Sequence, residues 1–194
     1  DRRIIDAMAA VAREDFVPES RRAVAYMDED VDLGGGRCLI EAMAFAKLLQ
    51  LAEVKPTGRL LLVGAGMGYG AAVAAHLAGS VVALEQEPAL AAAAKRALSG
   101  SANVTVVEGA LAEGPRAHGP FDAIVIEGRI GDVPDALIDQ LAANGRLIAV
   151  VGERDVAKAE VITVAAKAVS RKAAFDASIA PLPGFAKKKT AFVF

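Results

Sequence analysis

Apolar positions along the chain change their rhythm at residue 59. Before it they recur at helical spacing: Ile4, Ile5, Met8 and Val11 within 2–11, then Met43, Leu48, Leu49 and Leu51 within 41–53. That is the pattern of helices with one buried face. Pro18 closes the first connection, residues 19–25 carry another helical turn or two, and Lys55-Pro56-Thr57-Gly58 stops the second helix. Between them MDEDVDLGGGRCLIEA, acidic in its first half and holding three successive glycines, reads as a loop.

From residue 59 short apolar runs alternate with helical stretches. LLLV (60–63) is followed by a glycine loop and an alanine-rich helix over 71–78; SVVAL (80–84) by a helix over 88–98 with Pro88 in its first turn; NVTVV (103–107) stands alone; FDAIVI (121–126) precedes a helix around 134–141; GRLIAVV (145–151) closes the series. Strands apolar on both faces, alternating with helices, predict a mostly parallel sheet covered on both sides. The end of the chain differs. VITVAAKAV (161–169), residues 173–179, a Pro-Leu-Pro-Gly turn and TAFVF (190–194) predict two or three antiparallel strands at the sheet edge. No repeat or linker divides the chain, so one α/β domain is expected over 1–194: helices and a loop in 1–58, the sheet in 59–194.

Composition narrows the classes. The 194 residues are 54% hydrophobic, enough for one substantial core. No apolar run approaches the roughly 20 residues of a membrane span, and the charged start DRRIIDAMAAVAREDF is not expected to be a signal peptide. The first residue is not Met, which points to native residues ahead of Asp1. A net charge of −2 with interspersed signs predicts no nucleic-acid partner, and Lys187-Lys188-Lys189 reads as a solvated turn. Cys38 is the single cysteine and His76 and His118 the two histidines, so neither a disulfide nor a metal site is expected, and a cytoplasmic location fits. The acids Asp28, Glu29, Asp30 and Asp32 are expected to face solvent.

The candidate chemistry lies in VGAGMGYG. Glycines at 64, 66, 68 and 70 leave a strand and enter a helix, so a ligand can lie against bare backbone at the carboxyl end of the sheet. Glu85, ending the next strand, is placed to accept ribose hydroxyls. Glycines serving only a tight turn, a dinucleotide, or S-adenosylmethionine all remain open. The dinucleotide pattern G-x-G-x-x-G fails from Gly64, since residue 69 is Tyr, and holds from Gly66 only in its relaxed form with Ala71. A nicotinamide-dependent oxidoreductase is therefore the weaker option, with no residues evident for hydride transfer.

VGAGMGYGAAVAA resembles the first motif of the S-adenosylmethionine-dependent methyltransferases, and of the protein-L-isoaspartate O-methyltransferases in particular. AREDFVPESRRAVAYMDEDVDLGGGR is similar to that family's N-terminal segment, and VVALEQEPALAAAAKRAL, NVTVVEGALAEG and PFDAIVIEGRIGDVPDALIDQLAANGRLIAVVG to its later segments, in order and at comparable spacing. The resemblance implies a Rossmann-like class I methyltransferase fold: a mostly parallel seven-stranded sheet, helices on both faces, an antiparallel edge strand and an N-terminal helical addition. It implies S-adenosyl-L-methionine as cofactor, S-adenosyl-L-homocysteine as product, and isoaspartyl residues of damaged proteins or peptides as acceptors. By the same resemblance the methionine end of the cofactor lies against Gly64, Ala65, Gly66, Met67 and Gly68, with Tyr69 alongside. Glu85 binds the ribose with Gln86 beside it, adenine sits near Glu108, Gly109 and Ala110, and Glu127 faces the cofactor amine or the acceptor.

The departures fall where the family binds its acceptor. The family's loop reads Gly-x-Gly-Gln-Thr-Ile-Ser-x-Pro; here Cys38 stands for the threonine, Ile40 for the serine and Ala42 for the proline. Ala110 replaces the Asp of the adenine motif. Arg37 or Arg129 is a candidate for holding a carboxylate by a bidentate pair. Cys38 would act as a nucleophile only with a base beside it, and Glu41 fits the opening of its helix. The departures favour, as an alternative, a relative that binds the cofactor without isoaspartyl repair or uses another acceptor.

Overall fold

The computed structural model describes residues 1–153, 157–165 and 168–185. Helix α1 (Arg2–Ala9) starts behind Asp1, whose carboxylate accepts the Arg3 N–H at 2.9 Å. Two 3-10 turns, Arg13–Phe16 and Glu19–Val24, lead to strands β1 (Val31–Gly34) and β2 (Arg37–Leu39), which pair antiparallel. Helix α2 (Ala42–Ala52) ends at Glu53, in the left-handed conformation at φ 46°. Then β3 (Arg59–Val63), α3 (Tyr69–Ala75), β4 (Ser80–Glu85), α4 (Pro88–Ala97) and β5 (Val104–Glu108) alternate as predicted. They are followed by β6 (Phe121–Ile130), the one-turn α5 (Asp135–Ile138), β7 (Leu141–Val151), β8 (Ala157–Ala165) and β9 (Ala168–Ala177).

Seven strands form one sheet in the order β5-β4-β3-β6-β7-β8-β9, parallel from β5 to β7 and antiparallel across β7–β8 and β8–β9. This is the mostly parallel sheet with an antiparallel edge that the sequence predicts. The chain moves outward from β3 in both directions, so the carboxyl end of β3 is the switch point where such sheets bind ligands.

Strand periodicity explains the two layers. In β3, Leu60 and Leu62 face a core shared with α1 to α4, whereas Leu61 and Val63 face a second core. That second core is closed by Leu111, Val133, Leu137 and Leu182. Its covering is thin, because the helix expected over 134–141 is one turn.

Three expectations change. The loop over 26–41 contains the β1–β2 hairpin, turned at Gly34, Gly35 and Gly36 with φ of 90°, 62° and 74°. The run 161–169 is not one strand: β8 and β9 fold back on each other with Ala165 paired to Ala168. Strands β6 and β7 are longer than their apolar runs, reaching Ile130 and back to Leu141. The strand read at 190–194 and the lysines at 187–189 lie outside the described residues.

Candidate functional site

The glycine loop divides into two pairs with different tasks. Gly68, at φ 102°, is hemmed in by α4; a Cβ there would lie 2.9 Å from Leu98 Cδ1 and 3.3 Å from Ala94 Cβ. Gly70 lies against the Glu127 carboxyl group, which a Cβ would enter. These two serve packing. Gly64 and Gly66, at φ 86° and 56°, form a ledge. The atoms nearest a Cβ on Gly64 are the Leu182 methyls at 2.9 and 3.0 Å and Arg37 Nη2 at 3.2 Å; on Gly66 the neighbour is Leu33 Cδ1 at 2.8 Å. The ledge is thus covered by ends of rotatable side chains. Main-chain bonds from Gly64 and Ala65 to Leu84 O, at 2.9 and 3.1 Å, fix it to β4, and Met67 is half-buried at the turn.

Glu85 ends β4 beside this ledge with no exposed surface. Its Oε1 accepts the N–H groups of Gln86 and Glu87 at 2.8 and 2.9 Å. Its Oε2 accepts Gly66 N–H at 2.7 Å and Arg37 Nη2 at 2.8 Å. Three of the four donors are backbone, so the carboxylate is held in place by the chain's own course. Glu108 is level with Glu85 across β4–β5, and Gly109 N–H donates to Glu85 O at 3.0 Å. Ala110 lines an adjoining cavity of 450 Å³ with Val133, Pro134 and Gly184. Gln86 is exposed, its Oε1 against Gly184.

Below the ledge lies a buried polar group of three side chains. Glu127 is 4% exposed with Oε1 unpartnered, and burial pushes its carboxyl up to about 8; nearby Arg37 and Arg13 oppose the rise and Glu85 adds to it. Tyr69 turns into the core, its ring 5.9 Å from Phe16 and 5.8 Å from Phe45, with the Arg13 guanidinium 4.8 Å above it. Arg13 donates from Nε to Ala25 O and from Nη2 to Ile40 O, both at 2.7 Å. Sequence reasoning missed Arg13; the one signal was a charge between the apolar positions of AREDFV.

Of the substrate-side candidates, Arg37 is the one that the structure brings against Glu85 and the ledge. Ile40 is 1% exposed and packs in the core. Cys38 is half-buried, its thiol pushed up by burial and then by Asp30 and Asp32. Glu41 precedes α2 without a side-chain cap. Arg129 braces backbone, with Nε 3.3 Å from Ile179 O and Nη1 3.4 Å from Gly152 O. Asp30, expected to face solvent, instead ties three segments together: its carboxylate accepts Glu41 N–H at 2.7 Å and Ala180 N–H at 2.5 Å. Among the described residues no group of three or more His, Cys, Asp or Glu is placed to hold a metal ion, and no helix is long and apolar enough to cross a membrane.

Comparison with known proteins agrees with this architecture. Residues 1–182 match the family model for protein-L-isoaspartate(D-aspartate) O-methyltransferase. A protein-L-isoaspartate O-methyltransferase of Roseiflexus sp. (strain RS-1) is 40% identical over 156 residues, covering 79% of this chain and 72% of that protein. One from Koribacter versatilis (strain Ellin345) is 33% identical over 186 residues, covering 95% and 84%. A solved protein-L-isoaspartate O-methyltransferase superposes with a TM-score of 0.83 at 22% identity, over 95% of this chain and 62% of that one. A putative Plasmodium falciparum enzyme of that name, solved with S-adenosyl-L-homocysteine, gives 0.79 at 22% identity over 94% and 90%.

Proposed function

The chain belongs to the protein-L-isoaspartate(D-aspartate) O-methyltransferase family, and on that premise we propose that it methylates a free carboxylate of isoaspartyl residues in proteins or peptides, using S-adenosylmethionine. The observation that carries this reading is the pairing of a Cβ-free ledge, Gly64 and Gly66, with the Glu85 carboxylate 2.7 Å from the Gly66 N–H. These residues fit the cofactor: a Cβ would fill the ledge, and the acid ends the strand beside it. When bound, the cofactor supplies a methyl group already activated on a sulfonium. An ionised acceptor carboxylate is a nucleophile as it stands, so the chain's task is to hold and align its ligands, and no general base is required. Glu85 accepts a ribose hydroxyl, the ledge lies along the cofactor backbone, and Glu108 to Ala110 border the adenine. Glu127, held neutral by burial, keeps a second negative charge away from an anionic acceptor.

We assign residues 1–58 to the acceptor side and 59–194 to cofactor binding, and place the protein in the cytoplasm, where one unpaired cysteine is at home. The test is incubation with methyl-labelled S-adenosylmethionine and an isoaspartyl peptide. A base-labile methyl ester on the peptide is expected. S-adenosylhomocysteine binding without ester formation would sink the isoaspartyl assignment. It would favour a second reading, another carboxylate acceptor, which the burial of Ile40 at the family's serine position supports.

A further inference from the structure

Arg37 occupies the place where the ledge and the acid meet. It reaches Glu85 across 48 residues of sequence, with Nη2 2.8 Å from Oε2, and the pair is 4% and 0% exposed. The same Nη2 is 3.2 Å from where a Cβ on Gly64 would stand. With three backbone N–H groups and the Arg37 guanidinium, all four acceptor positions of the carboxylate are taken, and a ribose hydroxyl can enter only where Arg37 leaves. We propose that Arg37 competes with the cofactor for Glu85 and that, once displaced, it binds the carboxylate of the acceptor. This rests on the methyl-transfer reading above.

Three observations support both halves. Space is open around the turn ahead of Arg37: Cβ atoms on Gly34 and Gly35 would meet nothing within 4 Å, and one on Gly36 only Pro183 Cγ at 3.8 Å. Glu85 tolerates the loss of Arg37, since it keeps its three backbone donors. Arg37 does not tolerate the loss of Glu85 equally. Its Nε is already without a partner, and no other described side chain is hydrogen-bonded to it. A guanidinium released in a site of low dielectric seeks an anion, and the acceptor is one. Arg129, the other candidate, is engaged with the carbonyls of Ile179 and Gly152. The order that follows is cofactor first, acceptor second.

The test compares wild type, R37A and R37K by calorimetric titration with S-adenosylhomocysteine, and by methylation kinetics with an isoaspartyl peptide. Loss of one charged hydrogen bond that opposes the ligand predicts about tenfold tighter S-adenosylhomocysteine binding by R37A. KM for the peptide should rise about tenfold or more, with R37K recovering part of it. A purely structural role would weaken both together; opposite signs are the signature. R37A binding S-adenosylhomocysteine no more tightly than wild type overturns the competition, and an unchanged peptide KM overturns the clamp. Should R37A not fold, R37Q, which keeps the stem and loses the charge, must shift both quantities in the same directions. Absence of S-adenosylhomocysteine binding by every variant removes the methyl-transfer reading itself; binding by R37A alone supports the competition.

Discussion

Glu127→Gln is the most direct probe of the buried polar group under the ledge. Burial raises this carboxyl from the ordinary 4.5 to about 8, against the pull of Arg37 and Arg13 and with the push of Glu85. Between those values the folded chain keeps a proton that the unfolded chain has released. Stability from this group is therefore complete below pH 4.5 and falls as pH rises, until the folded group also ionises near 8. The slope is about 1.4 kcal/mol per pH unit, and the full window is worth on the order of 5 kcal/mol. Glutamine has the same shape and nothing to titrate. The stability of Glu127→Gln minus that of wild type should thus grow by roughly 3 kcal/mol between pH 5.5 and 7.5. Denaturant unfolding followed by far-ultraviolet circular dichroism at several pH values measures it, and the subtraction cancels groups that the substitution does not touch. In a chain of this size the change corresponds to about 6–12 °C in Tm. Parallel curves for the two proteins would show that Glu127 is ionised in the fold, and the reasoning from burial would be wrong.

Gly70→Ala should destabilise by about 1–3 kcal/mol, because its Cβ would enter the Glu127 carboxyl group; helix propensity alone predicts a gain of roughly 1 kcal/mol, so the sign of the Tm shift decides, and Glu127→Ala should rescue the double variant. Gly66→Ala, at φ 56°, should cost only about 1–2 kcal/mol in denaturant unfolding, since the facing Leu33 can rotate, yet abolish S-adenosylhomocysteine binding in calorimetry. Ile40→Ser, the family's residue at a site 1% exposed, should destabilise by roughly 3–4 kcal/mol and leave the KM for an isoaspartyl peptide no lower, as read by unfolding and initial rates.

The sheet was legible because its physics is local. A strand buried on both faces must be apolar at every position, so LLLV, SVVAL and FDAIVI announce themselves without reference to anything distant. The ledge was legible for the same reason, since glycines after a strand and an acid ending the next one are fixed by chain order. The partners of Arg13 and Glu85 were not. Arg13 is held by carbonyls 12 and 27 residues away, Glu85 by a guanidinium 48 residues away, and nothing in a window of sequence reports such meetings.

One step in the loop was available but needed the correct period. MDEDVDLGGGRCLIEA reads as a loop because its acids and glycines mask a strand pattern only two apolar residues long, Val31 and Leu33. Once 37–39 is a strand, its alternation alone sorts the candidates. Arg37 and Leu39 point inward and Cys38 faces the other way, with exposure of 4% and 5% for the inward pair. The position that the family fills with threonine is then on the outer face, and the one it fills with serine, Ile40, is sealed in the core. The polar side chain that the pleat turns inward is Arg37, the residue to which the proposal above gives the acceptor. An arginine there brings a full charge into the interior, where a charge left without partners is costly. Glu85 supplies the opposite charge in the structure as it stands, with Arg37 Nη2 2.8 Å from its Oε2.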